Sequence, residues 1–266
     1  MDKQNSPLMA MMFLREPVEP DPKAVAARLR ARSSCRYELR WDEAADGTRF
    51  YSLNGRQVVV ALMRAPIPPG DWEEGCANHR YWPQAAKVLR QHRAHLIISL
   101  MWDQDDPIDR HLLFTDFVAA VSEAVDGLGI LWGRHGALRS AELFRELASK
   151  ASEDSLPLPL WVDFEPVRHE GKFFMVTTGL DAFGVMEVEV GSARLKPDEL
   201  FDRLLCVAHY LCTHGPVLKD GDTVGGSARE RIPVRHTDSV LDRPGPVIRI
   251  DFDAGRRGLL SRLFGR

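Results

Sequence analysis

The spacing of apolar and polar residues divides the chain into strands and helices. Leu8–Leu14 is an apolar run of strand length, and Asp21 followed by Pro22 opens a helix to about Arg32, with the aspartate as N-cap and the proline in the first turn. Residues 37–41, 50–53 and 57–63 read as strands. Asn54-Gly55 joins the last two as a hairpin, because both central residues of a type I′ turn need positive φ. Residues 65–70 hold Pro66, Pro68 and Pro69 and must be extended; Asp71, backed by Glu73 and Glu74, caps a helix that Pro83 interrupts and that resumes to about Arg93. Residues 96–102 are almost continuously apolar, as in a central strand covered on both faces.

This order, strand, helix, hairpin, helix, strand, is that of a ferredoxin-like βαββαβ unit. The polar segment 103–107 then marks a boundary. Beyond it, residues 112–125 form an amphipathic helix ended by Gly127, 129–132 a strand and 140–151 a helix. Residues 160–165, 172–178 and 186–190 read as strands. Lys196-Pro197-Asp198 starts a helix to about Thr213, Gly215 is its left-handed stop, and residues 247–252 close the sheet. The coarse order repeats, so the expectation is an α+β protein of two ferredoxin-like halves related by internal duplication, with antiparallel sheets covered by helices. The first half spans residues 1–106, the second 107–254, and a basic amphipathic tail 255–266.

Composition places these elements in an ordinary globular protein: 266 residues, 44% hydrophobic, 27% charged, with 35 basic against 38 acidic side chains and a net charge of -3. That balance gives no electrostatic footprint for nucleic acid. The apolar stretch from Ala94 to Trp102 is far shorter than the ~20 residues of a membrane-spanning helix. Residues 7–14 lack a small-residue cleavage pattern and read as a first strand, not a signal peptide. Cys35, Cys76, Cys206 and Cys212 show neither C-x-x-C nor a dense disulfide spacing, which fits a reducing cytoplasm.

Four places could carry chemistry. In the segment from Thr177 to Val190, two glycines bracket a turn, and period-2 alternation then sets Glu187 and Glu189 on one strand face, their side chains roughly 6 to 7 Å apart. Such a pair suits acid/base work or a hard metal ion, and suits equally a strand with its polar face in water. The Asp220-Gly221-Asp222-Thr223 loop could offer two carboxylates to a cation, but completes neither a calcium loop nor a phosphate loop; a turn held by its own Asp side chains is the plainer account. Cys206, His209 and Cys212 diverge around one helix, with His214 just after, and that geometry argues against zinc. Cys76 and His79 have only the spacing of a thiol and a base, and His95 stands at a helix-to-strand junction where backbone would satisfy it. No short catalytic or cofactor signature is present, so no cofactor is expected. Trp41, Trp102, Trp132 and Trp161 flank strands and belong to a core or its rim.

The tail sets Leu259, Leu260, Leu263 and Phe264 at helical spacing among Arg256, Arg257, Arg262 and Arg266. A short basic amphipathic segment of this kind can dock on a partner protein or touch an anionic membrane surface, and otherwise frays.

The runs Ala94 to Leu100 and Leu158 to Val162, the T-T-G-L-x-x-F-G-x-x-E-x-E segment from Thr177 to Glu189, and the D-G-D-T loop at Asp220 to Thr223 together resemble the bacterial family called domain of unknown function 4261. The resemblance spans about Met11 to Phe252 and leaves the tail outside. It implies a bacterial cytosolic protein and carries over no substrate, cofactor or catalytic residue. The functional expectation is therefore a non-catalytic protein-binding or regulatory protein, an adaptor or a neutraliser. The alternatives are a hydrolase or metal-assisted enzyme built on Glu187, Glu189, Asp220, Asp222 and His95 or His209, and a small-molecule sensor with a pocket between the halves lined by Trp102, Trp132 or Trp161.

Overall fold

A computed structural model describes residues 7–32, 37–43, 45–76, 81–102, 104, 106–225 and 230–253. The chain is a mixed α+β protein of two compact units, Met1–Trp161 and Val162–Arg266. Among the described residues, no helix is long and apolar enough to cross a membrane.

The first unit contains β1 (Leu8–Leu14), α1 (Pro22–Arg32), β2 (Leu39–Trp41), β3 (Thr48–Leu53), β4 (Arg56–Met63), α2 (Glu73–Cys76), α3 (Ala85–Leu89), β5 (Ala94–Leu100), α4 (Pro107–Val125), β6 (Gly129–Trp132), β7 (Ala137–Ser140), α5 (Ala141–Ala148) and α6 (Leu158–Trp161). Its ends are set locally. Asp21 accepts the Lys23 N–H at 3.1 Å, Asn54 and Gly55 turn the hairpin at φ 51° and 81°, and Asp106 caps α4 through the Ile108 N–H at 2.8 Å. Seven strands form one antiparallel sheet in the order β2-β3-β4-β5-β1-β6-β7. One face carries Met12, Val60, Leu96 and Ile98, all buried, and Tyr51, whose ring meets Phe117 of α4 edge-on at 5.2 Å.

The opposite face is covered unevenly. Around Phe13, Leu131 and Leu138 it is closed by Ile67, Trp72, Trp82 and Leu89 from the segment holding α2 and α3. Toward β3, β4 and β5 the register lines up Phe50, Val59, Ser99 and Met9 in one row and Thr48, Ala61, Ile97 and Met11 in the next. Phe50 is 43% exposed and Met63 42%, and Met101, just beyond β5, is 51% exposed.

The second unit contains β8 (Asp163–His169), β9 (Lys172–Thr178), β10 (Val188–Ser192), α7 (Pro197–His214), β11 (Thr223–Val224), β12 (Ile232–Thr237) and β13 (Val247–Asp251). The sheet order is β11-β12-β13-β10-β9-β8, with β10 and β13 parallel and the other neighbours antiparallel. Glu199 accepts the Lys196 N–H at 2.9 Å to start α7, and Gly215 at φ 77° ends it. Leu200, Phe201, Leu204, Ala208 and Leu211 form its buried stripe, with Phe201 edge-on to Phe164 of β8 at 5.3 Å.

Four expectations need correction. A ferredoxin-like sheet sets its first strand beside its third, whereas here β5 separates β1 from β4, and the second unit has a single long helix against its sheet. The two units differ in strand number and in their parallel pairing, so no repeat is visible in the topology. The division falls after Trp161, not at residue 106, because β6 pairs with β1 across the expected boundary. β13 lies inside its sheet between β10 and β12 instead of closing it, while α2 and α3 flank Pro83, the expected point of helix interruption.

Candidate functional site

The chemistry expected between Thr177 and Val190 lies in the second unit. Gly179, at φ 116°, ends β9 and opens a 3-10 turn, Leu180–Phe183, which Gly184 closes at φ 72°. This turn brings Glu187 back onto the chain that precedes it. Its Oε1 accepts the Gly179 and Leu180 N–H groups at 2.8 and 2.9 Å, and its Oε2 accepts the Thr177 hydroxyl at 2.6 Å. The Thr177 oxygen in turn accepts the Val188 N–H at 2.8 Å. Glu187 thus satisfies the bare amides at the start of the turn, as an N-cap does.

Glu189 points elsewhere. It lies on β10 directly across from Val176 and Arg249, and is 1% exposed. Arg249 Nη2 donates to its Oε2 at 2.8 Å, the Val240 N–H donates to both oxygens at 3.1 and 3.2 Å, and the Ser239 hydroxyl donates to Oε1. Arg249 also donates to the Asp238 carbonyl, and Arg243 to the Thr177 carbonyl at 2.7 Å. The buried carboxylate therefore fastens the β12–β13 connection to the sheet. The expected pair divides: Glu187 caps a turn, Glu189 is neutralised by an arginine, and neither stands on a face open to water.

Asp220 and Asp222 do what a turn asks of them. Asp222 accepts the Lys219 N–H at 2.7 Å, Asp220 accepts the His236 N–H at 2.9 Å, and Gly221 sits at φ 88°. Among the described residues, no three His, Cys, Asp or Glu side chains stand together as a metal-binding set. On α7, Cys206 is exposed, and burial followed by the Glu187 charge pushes the Cys212 thiol up to about 12. His95 belongs to the first unit, where its Nδ1 bonds the Ala65 carbonyl at 2.8 Å; burial lowers its pKa from the ordinary histidine value. His79, Cys35 and the tail residues Arg256, Arg257, Leu259, Leu260, Arg262, Leu263 and Phe264 lie outside the described residues.

Two buried ionisable side chains escaped the sequence reading. His111 of α4 is 1% exposed, bonds the Pro107 carbonyl at 2.7 Å, and lies 5.2 Å from the Trp161 ring; burial drives its pKa down to about 3. Arg139 of β7 is fully buried, donates to the Pro159 and Leu138 carbonyls at 2.6 and 2.7 Å, and stacks over Tyr81. Trp132 and Trp161 are core residues of this unit, the latter bonded through Nε1 to Thr115 at 2.8 Å. His111 precedes the helix expected over residues 112–125; α4 begins earlier, at Pro107, and that places His111 on the buried side. An open groove of about 390 Å³ elsewhere in the unit is lined by Arg15, Glu16, Arg90, Gln91, His92 and Arg93, and none of the expected acids reaches it.

With this geometry in view, the family model described as Domain of unknown function (DUF4261) matches residues 176–251, from the end of β9 through β13. The matched stretch contains the Glu187 turn, the Glu189 network and the Asp220 loop. The rest of the expected resemblance, from Met11 to the middle of β9, lies outside it. Neither a curated protein nor a solved structure matches the chain.

Proposed function

We propose that this chain is a non-catalytic, protein-binding regulator, an adaptor or a neutraliser of a partner protein. The observation that carries the reading is the face of the seven-stranded sheet that the described residues cover only in part. Its two central rows, from Phe50 to Met9 and from Thr48 to Met11, hold no charged side chain, and Phe50, Met63 and Met101 are exposed around them. A large apolar patch on a monomer marks a contact surface, and methionines, unbranched and polarizable, adapt to the relief of an apolar partner segment. Three of the eight methionines, Met9, Met63 and Met101, belong to this region, and Met11 stands at its border, packed against the covered cluster around Phe13. The occupant this chemistry fits is the apolar side of an amphipathic helix on a partner protein.

The engagement of the acids supports the same reading. Glu187 and Glu189 are held by backbone amides, hydroxyls and Arg249, so using either for proton transfer would break a structural bond. The free thiols of Cys76, Cys206 and Cys212 support a reducing cytoplasm as the compartment. The tail from Arg256 to Arg266 adds a second, basic contact in this reading.

The test is quantitative capture from the native host with the tagged chain and with a Met63→Glu/Met101→Glu variant, followed by reconstitution with the purified partner. We expect one protein held near equal stoichiometry by the wild type and lost at least about tenfold with the variant, equivalent to ~1.4 kcal/mol of binding. A partner that binds both forms equally overturns the assignment of the surface. Divalent-ion stabilisation that disappears in Glu187→Gln/Glu189→Gln would overturn the non-catalytic reading in favour of the metal-assisted enzyme.

A further inference from the structure

The outer face of α7 lies beside the point where the described chain stops. Phe252 donates its N–H to the Gly191 carbonyl at 2.9 Å, and its ring sits 4.6 Å under the Arg203 guanidinium of α7. Asp253 accepts the Ser192 hydroxyl at 2.8 Å and the Ala193 N–H at 2.7 Å. The described chain therefore ends next to the first turns of α7.

At 100° per residue, the helix side opposite its buried stripe presents Glu199, Asp202, Cys206 and Tyr210 in a line, all of them exposed, with Tyr210 at 44%. Acid comes first and apolar surface second. The segment beyond Asp253 has the complementary order: Arg256 and Arg257, then Leu259, Leu260, Leu263 and Phe264. Thirteen residues reach up to about 43 Å when extended, against about 27 Å for the whole of α7. Length, exit point and charge order thus agree.

We propose that residues 255–266 dock on this face of α7 in the same molecule, with Arg256 and Arg257 on Glu199 and Asp202, and the leucines and Phe264 over Cys206 and Tyr210. The inference rests on the tail being a contact segment, as in the functional reading above, and adds its resting place. A partner that takes the tail must then displace it from α7, so part of its binding energy is spent on release and the contact is regulated.

Cys206 supplies the readout. Its alkylation rate by iodoacetamide, followed by peptide mass spectrometry, is compared in the full chain, in a chain ending at Asp253, and in Arg256→Glu/Arg257→Glu. A site covered about two-thirds of the time slows alkylation about threefold, so both variants are expected to react about three times faster than the wild type while Cys76 is unchanged. In 0.5 M NaCl the wild-type rate should move toward theirs. Equal Cys206 rates in the wild type and the charge-reversed chain overturn the proposal. So does protection that grows with protein concentration, which assigns the contact to a second copy. A rise in the Cys76 rate would expose misfolding of the truncated chain, and the charge-reversed chain then decides. No partner is present in this experiment, so its outcome is independent of partner capture.

Discussion

At the scale of single residues, several buried or half-buried ionisable groups are tied to the fold. His111 shows the consequence most directly. Its folded pKa of about 3 lies below the ordinary 6.5, so the unfolded chain binds a proton that the folded chain refuses. Its contribution to stability is complete above pH 6.5 and is lost as the pH falls from there toward 3. With each unit of pH worth about 1.4 kcal/mol, urea denaturation should give a stability lower by about 1.4 kcal/mol at pH 5.5 than at pH 7.5. His95, whose pKa moves in the same direction, adds to that slope. The variant His111→Gln should flatten it; an unchanged slope would mean that the proton is taken up elsewhere. Glu189 and Arg249 give a second test. Glu189→Gln takes the counter-charge from a partly exposed Arg249 that still donates to the Asp238 carbonyl, so it should cost about 2 kcal/mol in chemical denaturation, while Glu189→Met/Arg249→Met should recover part of the loss. A double variant no more stable than the single one would place the energy in the Ser239 and Val240 bonds instead.

Among the elements, what the sequence disclosed and what it concealed separate by range. Asn54-Gly55 and Asp21-Pro22 act within a few residues and stand in the structure as their types demand, whereas Gly215 ends α7 with φ 77° and ψ -162°, positive in φ but outside the left-handed helical region expected of it. The pairing of β10 with β13 joins residues some sixty apart, and no local pattern encodes it. β12 was missed because Pro233 and the polar Arg235, His236 and Thr237 blur its alternation, though its neighbours supply the burial. Glu187 misled for a physical reason. Period-2 spacing predicts a face only where the backbone is extended, and the Gly179 and Gly184 turns release Glu187 from that register. Glu189 does lie on a strand, but the β12–β13 connection covers it, and a covering loop has no periodicity to read.

For the molecule as a whole, each unit has its own sheet and its own buried core, and the central place of β13 decides how the second one is completed. A chain ending at Gly245 lacks the strand that β10 and β12 both pair with. In such a chain the dispersed NMR resonances of residues 163–237 should collapse while those of β1 to β7 persist; retention of both sets would show that β10 and β12 can close on each other. The sheet order also sets the sequence of events at the ribosome. β10 and β12 emerge before the strand that joins them, each with a row of bare amide and carbonyl groups on the side β13 will later fill. Until residues 247–251 are synthesised, the nascent second unit is an unfinished sheet open at its middle, a natural client for a chaperone, and any stall in translation across residues 238–246 prolongs that exposure.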